Sequence, residues 1–208
     1  MSLRGQSVVV TGACGFIGSH LVEALVRRGA RVKALTFYNA RGSHGWMDNV
    51  ADDVRKETRI VAGDIRDAGM MRDLIAKADT VFHLAALIGI PYSYQAPASY
   101  VETNVTGTLN ILEACRSTGA ARLLVTSTSE VYGTALRVPI DEAHPLQAQS
   151  PYSATKIAAE KLAESYHKSF ETPLVIIRPF NTFGPRQSAR AVIPTILMQL
   201  LHGQQELK

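Results

Sequence analysis

Short apolar runs alternate along this chain with amphipathic stretches, and little lies between them. Ser7–Thr11 is a valine run bounded by polar residues and predicts a buried strand. Phe16–Arg28 has apolar residues three and four apart and predicts a helix. The same reading gives strands over Arg31–Phe37, Arg59–Ala62, Thr80–Leu84, Arg122–Ser127 and Leu174–Arg178, and helices over Ala68–Lys77, Pro97–Thr118, Tyr152–Phe170 and Val192–Leu201. The Gly-, Asn- and His-containing stretch after Phe37, through Asn49, is expected to be loop. This alternation predicts an α/β fold, a doubly wound parallel sheet covered on both faces. Ligands of such a sheet lie beyond the carboxyl ends of its strands. The residues there are Gly63-Asp64-Ile65, Ala85-Ala86, Thr128-Ser129-Glu130 and Pro179-Phe180-Asn181.

The turn after the first strand, Thr11-Gly12-Ala13-Cys14-Gly15-Phe16-Ile17-Gly18, has the glycine spacing of a Rossmann-like dinucleotide site. Gly12 permits a tight turn, Gly15 lets the backbone approach a pyrophosphate, and Gly18 lets the helix pack closely on the strand. The N–H groups of the first helical turn then face the anion.

Composition narrows the class. With 208 residues, 46% of them hydrophobic, the chain can bury one sizeable α/β core and the start of a second unit. Its 22 Lys and Arg against 18 Asp and Glu give a net charge of +4, with the positives scattered along the chain. That argues against nucleic acid as a partner and suits a mildly positive cleft for an anionic cofactor or nucleotide-sugar. Cys14 and Cys115 are too far apart and too few to form a disulfide framework, so a reducing cytoplasm is expected. No metal is expected. No apolar stretch approaches the ~20 residues of a membrane span, and the early first strand leaves no signal peptide to expect.

Tyr152 and Lys156 stand four residues apart in a helical segment, so both project from one face. A phenol with a pKa of about 10 is a poor base at neutral pH, and a neighbouring ammonium favours its phenolate.

Seven stretches, in order, resemble the extended short-chain dehydrogenase/reductases of the nucleotide-sugar epimerase and dehydratase branch. They are Thr11 to Leu21, Gly63 to Asp67, His83 to Ala86, Asn104 to Asn110, Ser127 to Gly133, Ser150 to Lys156 and Arg178 to Arg186. The resemblance implies that NAD lies against Gly12, Cys14, Gly15, Phe16, Ile17, Gly18, Asp64, Ile65, Leu84, Ala85, Ala86, Asn104, Thr126, Tyr152, Lys156 and Pro179. It implies a catalytic set of Thr128, Ser129, Glu130, Tyr152 and Lys156, and substrate contacts from Ser93, Thr128, Asn181 and Arg186. Glu130 stands where 4,6-dehydratases of this family carry the base for the sugar C5 proton, whereas a 4-epimerase needs only the hydroxyl. Ser129 replaces the Asp of glucose-type dehydratases, as in mannose-type ones. UDP-glucuronate decarboxylases share Thr-Ser-Glu. The loop from Phe37 to Met47, with the segments around Tyr152 and after Arg186, most resembles UDP-N-acetylglucosamine 4,6-dehydratases of nonulosonic sugar pathways.

Further expectations follow from the resemblance. The family's acid at the end of the second strand is replaced by Thr36, Phe37 and Tyr38, which leaves NADP open beside NAD, with Arg41 within range of a 2′-phosphate. Residues 1–178 are expected to form the dinucleotide-binding domain with the catalytic residues, and 179–208 to begin a substrate-binding domain whose remainder is absent. The helices Pro97–Thr118 and Tyr152–Phe170 are expected to pair with a second copy as a four-helix bundle. The contrasting alternative is a catalytically silent NAD(P)-binding module. Single residues have plainer alternatives too. His83 reads as a satisfied core histidine, Asp64 as a turn or cap residue, and Asn104 as a partner for a nearby carbonyl.

Overall fold

The computed structural model describes residues 3–120 and 122–204. Six strands form one parallel sheet: β1 (Ser7–Thr11), β2 (Arg31–Phe37), β3 (Thr58–Gly63), β4 (Thr80–His83), β5 (Leu123–Thr126) and β6 (Leu174–Ile177). Their order is β3-β2-β1-β4-β5-β6. The order reverses between β1 and β4, where Thr11 pairs with Leu35 on one side and His83 on the other. That crevice is the switch point at which open α/β sheets bind ligands.

The helices are α1 (Phe16–Arg27), α2 (Asp52–Glu57), α3 (Ala68–Ile75), α4 (Ile90–Gln95), α5 (Pro97–Tyr100), α6 (Gly107–Thr118), α7 (Pro151–Phe170) and α8 (Val192–Leu201). The expected helix Pro97–Thr118 is present as α5 and α6 joined by a π-helical turn, Val101–Thr106. Its end is set by Gly119 in the left-handed region at φ 68°. The helix α7 starts where the sequence supplies a capping box, with Ser150 and Ser153 exchanging side-chain and backbone hydrogen bonds and Pro151 at the first helical position. Asp67 caps α3 by accepting from the Met70 N–H at 2.9 Å. The loop expected after Phe37 contains a 3₁₀ turn, Gly45–Asn49. The helices α2 and α4 are additions to the predicted elements.

The two faces of the sheet are covered unequally. Val9, Val81, Leu123 and Val125 pack with Met71, Ile75, Ile111, Leu112 and Ala163 from α3, α6 and α7. On the other face Val8, Val10, Val32 and Ala34 pack with Val22 and Leu25 of α1 and Val54 of α2. That second layer stops short of β6, where Val175 and Ile177 are 58% and 42% exposed. Coverage of both faces, expected from the alternation, thus holds over β1 to β3 and fails at the β6 edge. No described helix is long and apolar enough to cross a membrane.

Candidate active site

The glycine corner is built by close approach. A Cβ on Gly12, at φ 69°, would lie 2.7 Å from the Ala85 nitrogen, and one on Gly18 would lie 2.2 Å from the Gly12 carbonyl oxygen. At Gly15 the same atom would meet only the Gly12 oxygen, at 3.4 Å, so this face is open. Gly15 is also the N-cap of α1, whose first turn carries Phe16 and Ile17. Ile17 is exposed, and Phe16 lies edge-on to His20.

The opposite wall is held by a closed hydrogen-bond chain. The Thr11 hydroxyl accepts from the N–H groups of Leu84 and Ala85, at 3.1 Å each, so its proton goes to His83 Nδ1 at 2.9 Å. Thr108 spends its own proton on the Asn104 carbonyl at 2.6 Å, so His83 Nε2 is the donor in their 3.0 Å bond. Burial, with the Lys156 charge adding to it, pushes the His83 pKa down to about 3. His83 is therefore a neutral, satisfied core histidine, fastening β4 to β1.

Asn104 lies in the π-helical turn and is buried. Its side chain accepts from the Leu87 N–H at 2.8 Å and donates to the Leu87 carbonyl at 2.9 Å and to the Thr155 hydroxyl at 3.1 Å. Both amide protons are thus committed. The geometry makes it the tie between the loop after β4 and α7.

Asp64 follows β3, and its carboxylate is taken by Arg66, at 2.7 Å to Nη2 and 2.9 Å to the backbone N–H. This pairing holds its pKa below the usual carboxylate range. Ile65 is buried behind it, fitted against Gly107, where a Cβ would come within 2.5 Å of its Cδ1. Asp64 matches the turn-forming alternative read from its residue type.

At the end of β5 the structure gathers Thr126, Thr128, Glu130, Tyr152 and Lys156. Lys156 is buried, and its ammonium donates to the Thr126 carbonyl at 2.7 Å. Burial lowers its pKa to about 8, opposed by the charge of Glu160 one helical turn on. Tyr152 is 6% exposed. Burial raises its pKa, the Thr128 hydroxyl hydrogen-bonds it and works the other way, and the negative charge of Glu130 raises it further. Thr128 also caps the short turn Ser129–Tyr132 by accepting from the Glu130 N–H at 3.2 Å. Ser129 is anchored by donation of its N–H to the Pro179 carbonyl at 3.1 Å. The carboxylate-bearing Glu130 is exposed, on the open side of the group.

Two of the expected substrate contacts have partners within the chain. Ser93 is fully buried on α4, with its hydroxyl donated to the Ile90 carbonyl at 2.6 Å. The Arg186 guanidinium is held on α1, by Glu23 at 3.0 Å and Ser19 at 3.2 Å. Asn181 is exposed beyond β6.

Sequence reasoning missed the support behind this site. Arg178 grips the fully buried Glu160 through Nε at 2.9 Å and Nη2 at 2.6 Å, and donates from Nη1 to the Tyr132 hydroxyl at 3.0 Å. One arginine thereby joins the helix of Tyr152 and Lys156 to the turn of Glu130 and to the exit of β6. The available signal was a glutamate one turn after Lys156, on the same buried face.

Comparison with known proteins agrees with this architecture. Residues 9–208 match the family model described as GDP-mannose 4,6 dehydratase. The chain belongs to this family, within the extended short-chain dehydrogenase/reductases that act as nucleotide-sugar epimerases and dehydratases. It is 37% identical over 202 residues to a dTDP-glucose 4,6-dehydratase of Streptomyces antibioticus, covering 95% of this chain and 60% of that one. Among solved structures it superposes on a UDP-N-acetylglucosamine 4-epimerase from Methanobrevibacter ruminantium M1 with a TM-score of 0.88 and 34% identity, over 97% of this chain and 64% of that one. A dTDP-glucose 4,6-dehydratase from Streptomyces venezuelae, solved with NAD bound, gives a TM-score of 0.87 at 34% identity, over 95% and 63%. The chain therefore spans about 60% of the length of such relatives.

Proposed function

We propose that this chain is the dinucleotide-binding and catalytic part of a nucleotide-sugar 4,6-dehydratase, with NAD as cofactor and UDP-N-acetylglucosamine as substrate. Residues 1–178 form the cofactor-binding unit, and 179–208 begin the substrate-binding one. The observation that carries the reading is Tyr152, hydrogen-bonded to Thr128 and within the field of the Glu130 carboxylate, with Lys156 buried one helical turn away.

The residues present fit a dinucleotide. Gly15 offers an open face at the N-terminus of α1, flanked by a cavity of about 480 Å³ lined by Cys14, Phe37, Asn39, Ala40, Arg41, Ser43 and Gly45. When bound, the nicotinamide supplies a reversible hydride acceptor.

The chain's own groups then divide the proton work. Tyr152, as phenolate beside the Lys156 ammonium, takes the proton of the sugar C4 hydroxyl. Thr128 hydrogen-bonds the same oxygen. A carbonyl at C4 acidifies the C5 hydrogen, and Glu130 on the open side removes it. The proton held by Glu130 then leaves with the C6 hydroxyl as water, directly or through Ser129. Glu130 supports dehydration over 4-epimerisation, which asks only for the Tyr, Lys and Thr groups. The loop from Phe37 to Met47 supports the N-acetylglucosamine substrate, as does the substrate named for the Methanobrevibacter relative. Self-association through α5, α6 and α7 completes the reading, in the cytoplasm.

Incubation with UDP-N-acetylglucosamine and NAD in D₂O, followed by NMR and mass spectrometry, tests it. A 4-keto-6-deoxy product with deuterium at C5 is expected. Formation of the 4-epimer alone, loss of carbon dioxide from UDP-glucuronate, or dinucleotide binding with no turnover of any sugar would each overturn the dehydratase reading.

A further inference from the structure

The Tyr152 phenol is held at its hydroxyl by Thr128 and at its ring by Tyr100. The two rings meet edge to face at 80°, with centroids 6.3 Å apart. In this arrangement the electropositive rim of one ring meets the electronegative face of the other, so the contact favours one relative orientation. Tyr100 ends α5 and is 1% exposed. Its hydroxyl donates to the Gly89 carbonyl at 2.5 Å. Gly89 is the N-cap of α4, and its carbonyl also accepts the Ser93 N–H at 3.1 Å, closing the first turn of that helix. The Tyr92 ring of α4 packs on Tyr100 in turn, with centroids 6.2 Å apart. Tyr100 therefore stands between the phenol and α4, and touches both.

The same helical run holds Tyr152 a second time, through its backbone. Asn104 donates to the Thr155 hydroxyl, which donates on to the Tyr152 carbonyl at 2.7 Å. Across the π-helical turn, the contacts of Tyr100 and Asn104 thus go to the same two places, α7 and the loop after β4. Turns of this kind are frequent at functional sites. Burial raises the Tyr100 pKa, so the residue stays protonated near neutral pH and keeps its donation to Gly89. A buried hydroxyl with its hydrogen committed acts through position alone.

We propose that Tyr100 is a positioning residue for proton transfer at Tyr152: its ring fixes the direction of the phenol, and its hydroxyl anchors α4 beside it. Misplacing a reacting group by about 1 Å is enough to cost about a hundredfold in rate. The proposal rests on the reading of Tyr152 as the base, and the test separates the two. Tyr100→Phe keeps the ring and removes the hydroxyl; the Gly89 carbonyl retains the Ser93 N–H, so this variant keeps the fold. Tyr100→Met removes the ring and fills its space with a flexible apolar chain. Three properties of the purified chain are read: the tyrosine ring signals by NMR, assigned against Tyr152→Phe; amide exchange across α4; and turnover of UDP-N-acetylglucosamine with NAD.

In Tyr100→Phe the Tyr152 signal is expected to stay in place and kcat to remain within about threefold of wild type. Exchange across α4 should quicken about fivefold or more, for the loss of one buried hydrogen bond. In Tyr100→Met the Tyr152 signal should move and kcat fall about 10–100-fold, with KM within about threefold. An unmoved Tyr152 signal in Tyr100→Met, equal loss of kcat in both variants, or a change in KM alone overturns the proposal. If Tyr100→Met does not fold, Tyr100→Phe decides: unchanged α4 exchange overturns the proposal, and quickened exchange with kcat kept supports it. Wild-type turnover by Tyr152→Phe removes the reading of Tyr152 as base, and this proposal with it. Absence of turnover in every form bears on the dehydratase reading alone, and the ring signals and amide exchange still decide what Tyr100 holds.

Discussion

The Lys156 ammonium is buried against the Thr126 carbonyl, 2.7 Å away, at the strand end that carries Thr128. Placing a charge there disfavours folding, and the pKa of about 8 expresses that cost. Between pH 8 and the unfolded value near 10.5 the unfolded chain holds more protons, so stability rises with pH across this window. Lys156→Met removes the charge at similar volume. At pH 7 it should keep or gain stability, by up to about 2 kcal/mol after loss of the hydrogen bond is counted, and its rise between pH 8 and 10 should vanish. Thermal unfolding at both pH values checks this. A melting point well below wild type at pH 7 would refute it.

Glu130 acts on Tyr152 through its charge, which raises the phenol pKa. Glu130→Gln should therefore lower the Tyr152 titration, read as phenolate absorbance against a Tyr152→Phe control. The same change removes the proposed base for the C5 proton and should slow deuterium incorporation at C5 by about 10²–10⁴-fold. Dinucleotide affinity should stay unchanged. Undiminished C5 exchange in this variant would end the role given to Glu130.

These groups were legible in the sequence to different degrees. Val8-Val9-Val10 announced a strand because both faces of β1 are buried, leaving a continuous apolar run. Tyr152 and Lys156 were legible because a helix fixes where residues four apart point. The helix α2 was not, since only Val54 of its six residues is buried and nothing periodic marks it. The π-helical turn at Val101–Thr106 changes the helical register without changing composition. The partners of Arg186, Ser19 and Glu23, were not legible because they lie more than 160 residues away on α1. A motif gives the residue type needed, and only the fold reveals which charge takes it.

His83 ties stability to pH. Its pKa of about 3 lies below the unfolded value of 6.5, so between these limits the unfolded chain binds the extra proton and stability falls as pH falls. By pH 5 the loss from this one site is about 2 kcal/mol. His83→Gln leaves Thr11 or Thr108 without a full partner and should cost about 1–3 kcal/mol at pH 7. The variant should also lose the slope between pH 6.5 and 5, which urea denaturation at several pH values would detect. An unaltered slope would mean that His83 is not the titrating group.

Gly15 and Gly18 should separate binding from folding. A methyl group on Gly18 would sit 2.2 Å from the Gly12 carbonyl oxygen, a backbone atom that cannot rotate away. Gly18→Ala must push α1 off β1, and should cost about 1–3 kcal/mol or more by overpacking. At Gly15 the nearest contact is an ordinary 3.4 Å, and the N-cap backbone is extended at φ −84° and ψ 177°, which alanine adopts freely. Gly15→Ala should therefore melt within about 1 kcal/mol of wild type and yet place a methyl on the face left open for a pyrophosphate. Calorimetry with NAD should show loss of binding in a folded protein. Full NAD affinity in Gly15→Ala would mean that the dinucleotide does not approach through this corner, and the cofactor assignment would have to be rebuilt elsewhere.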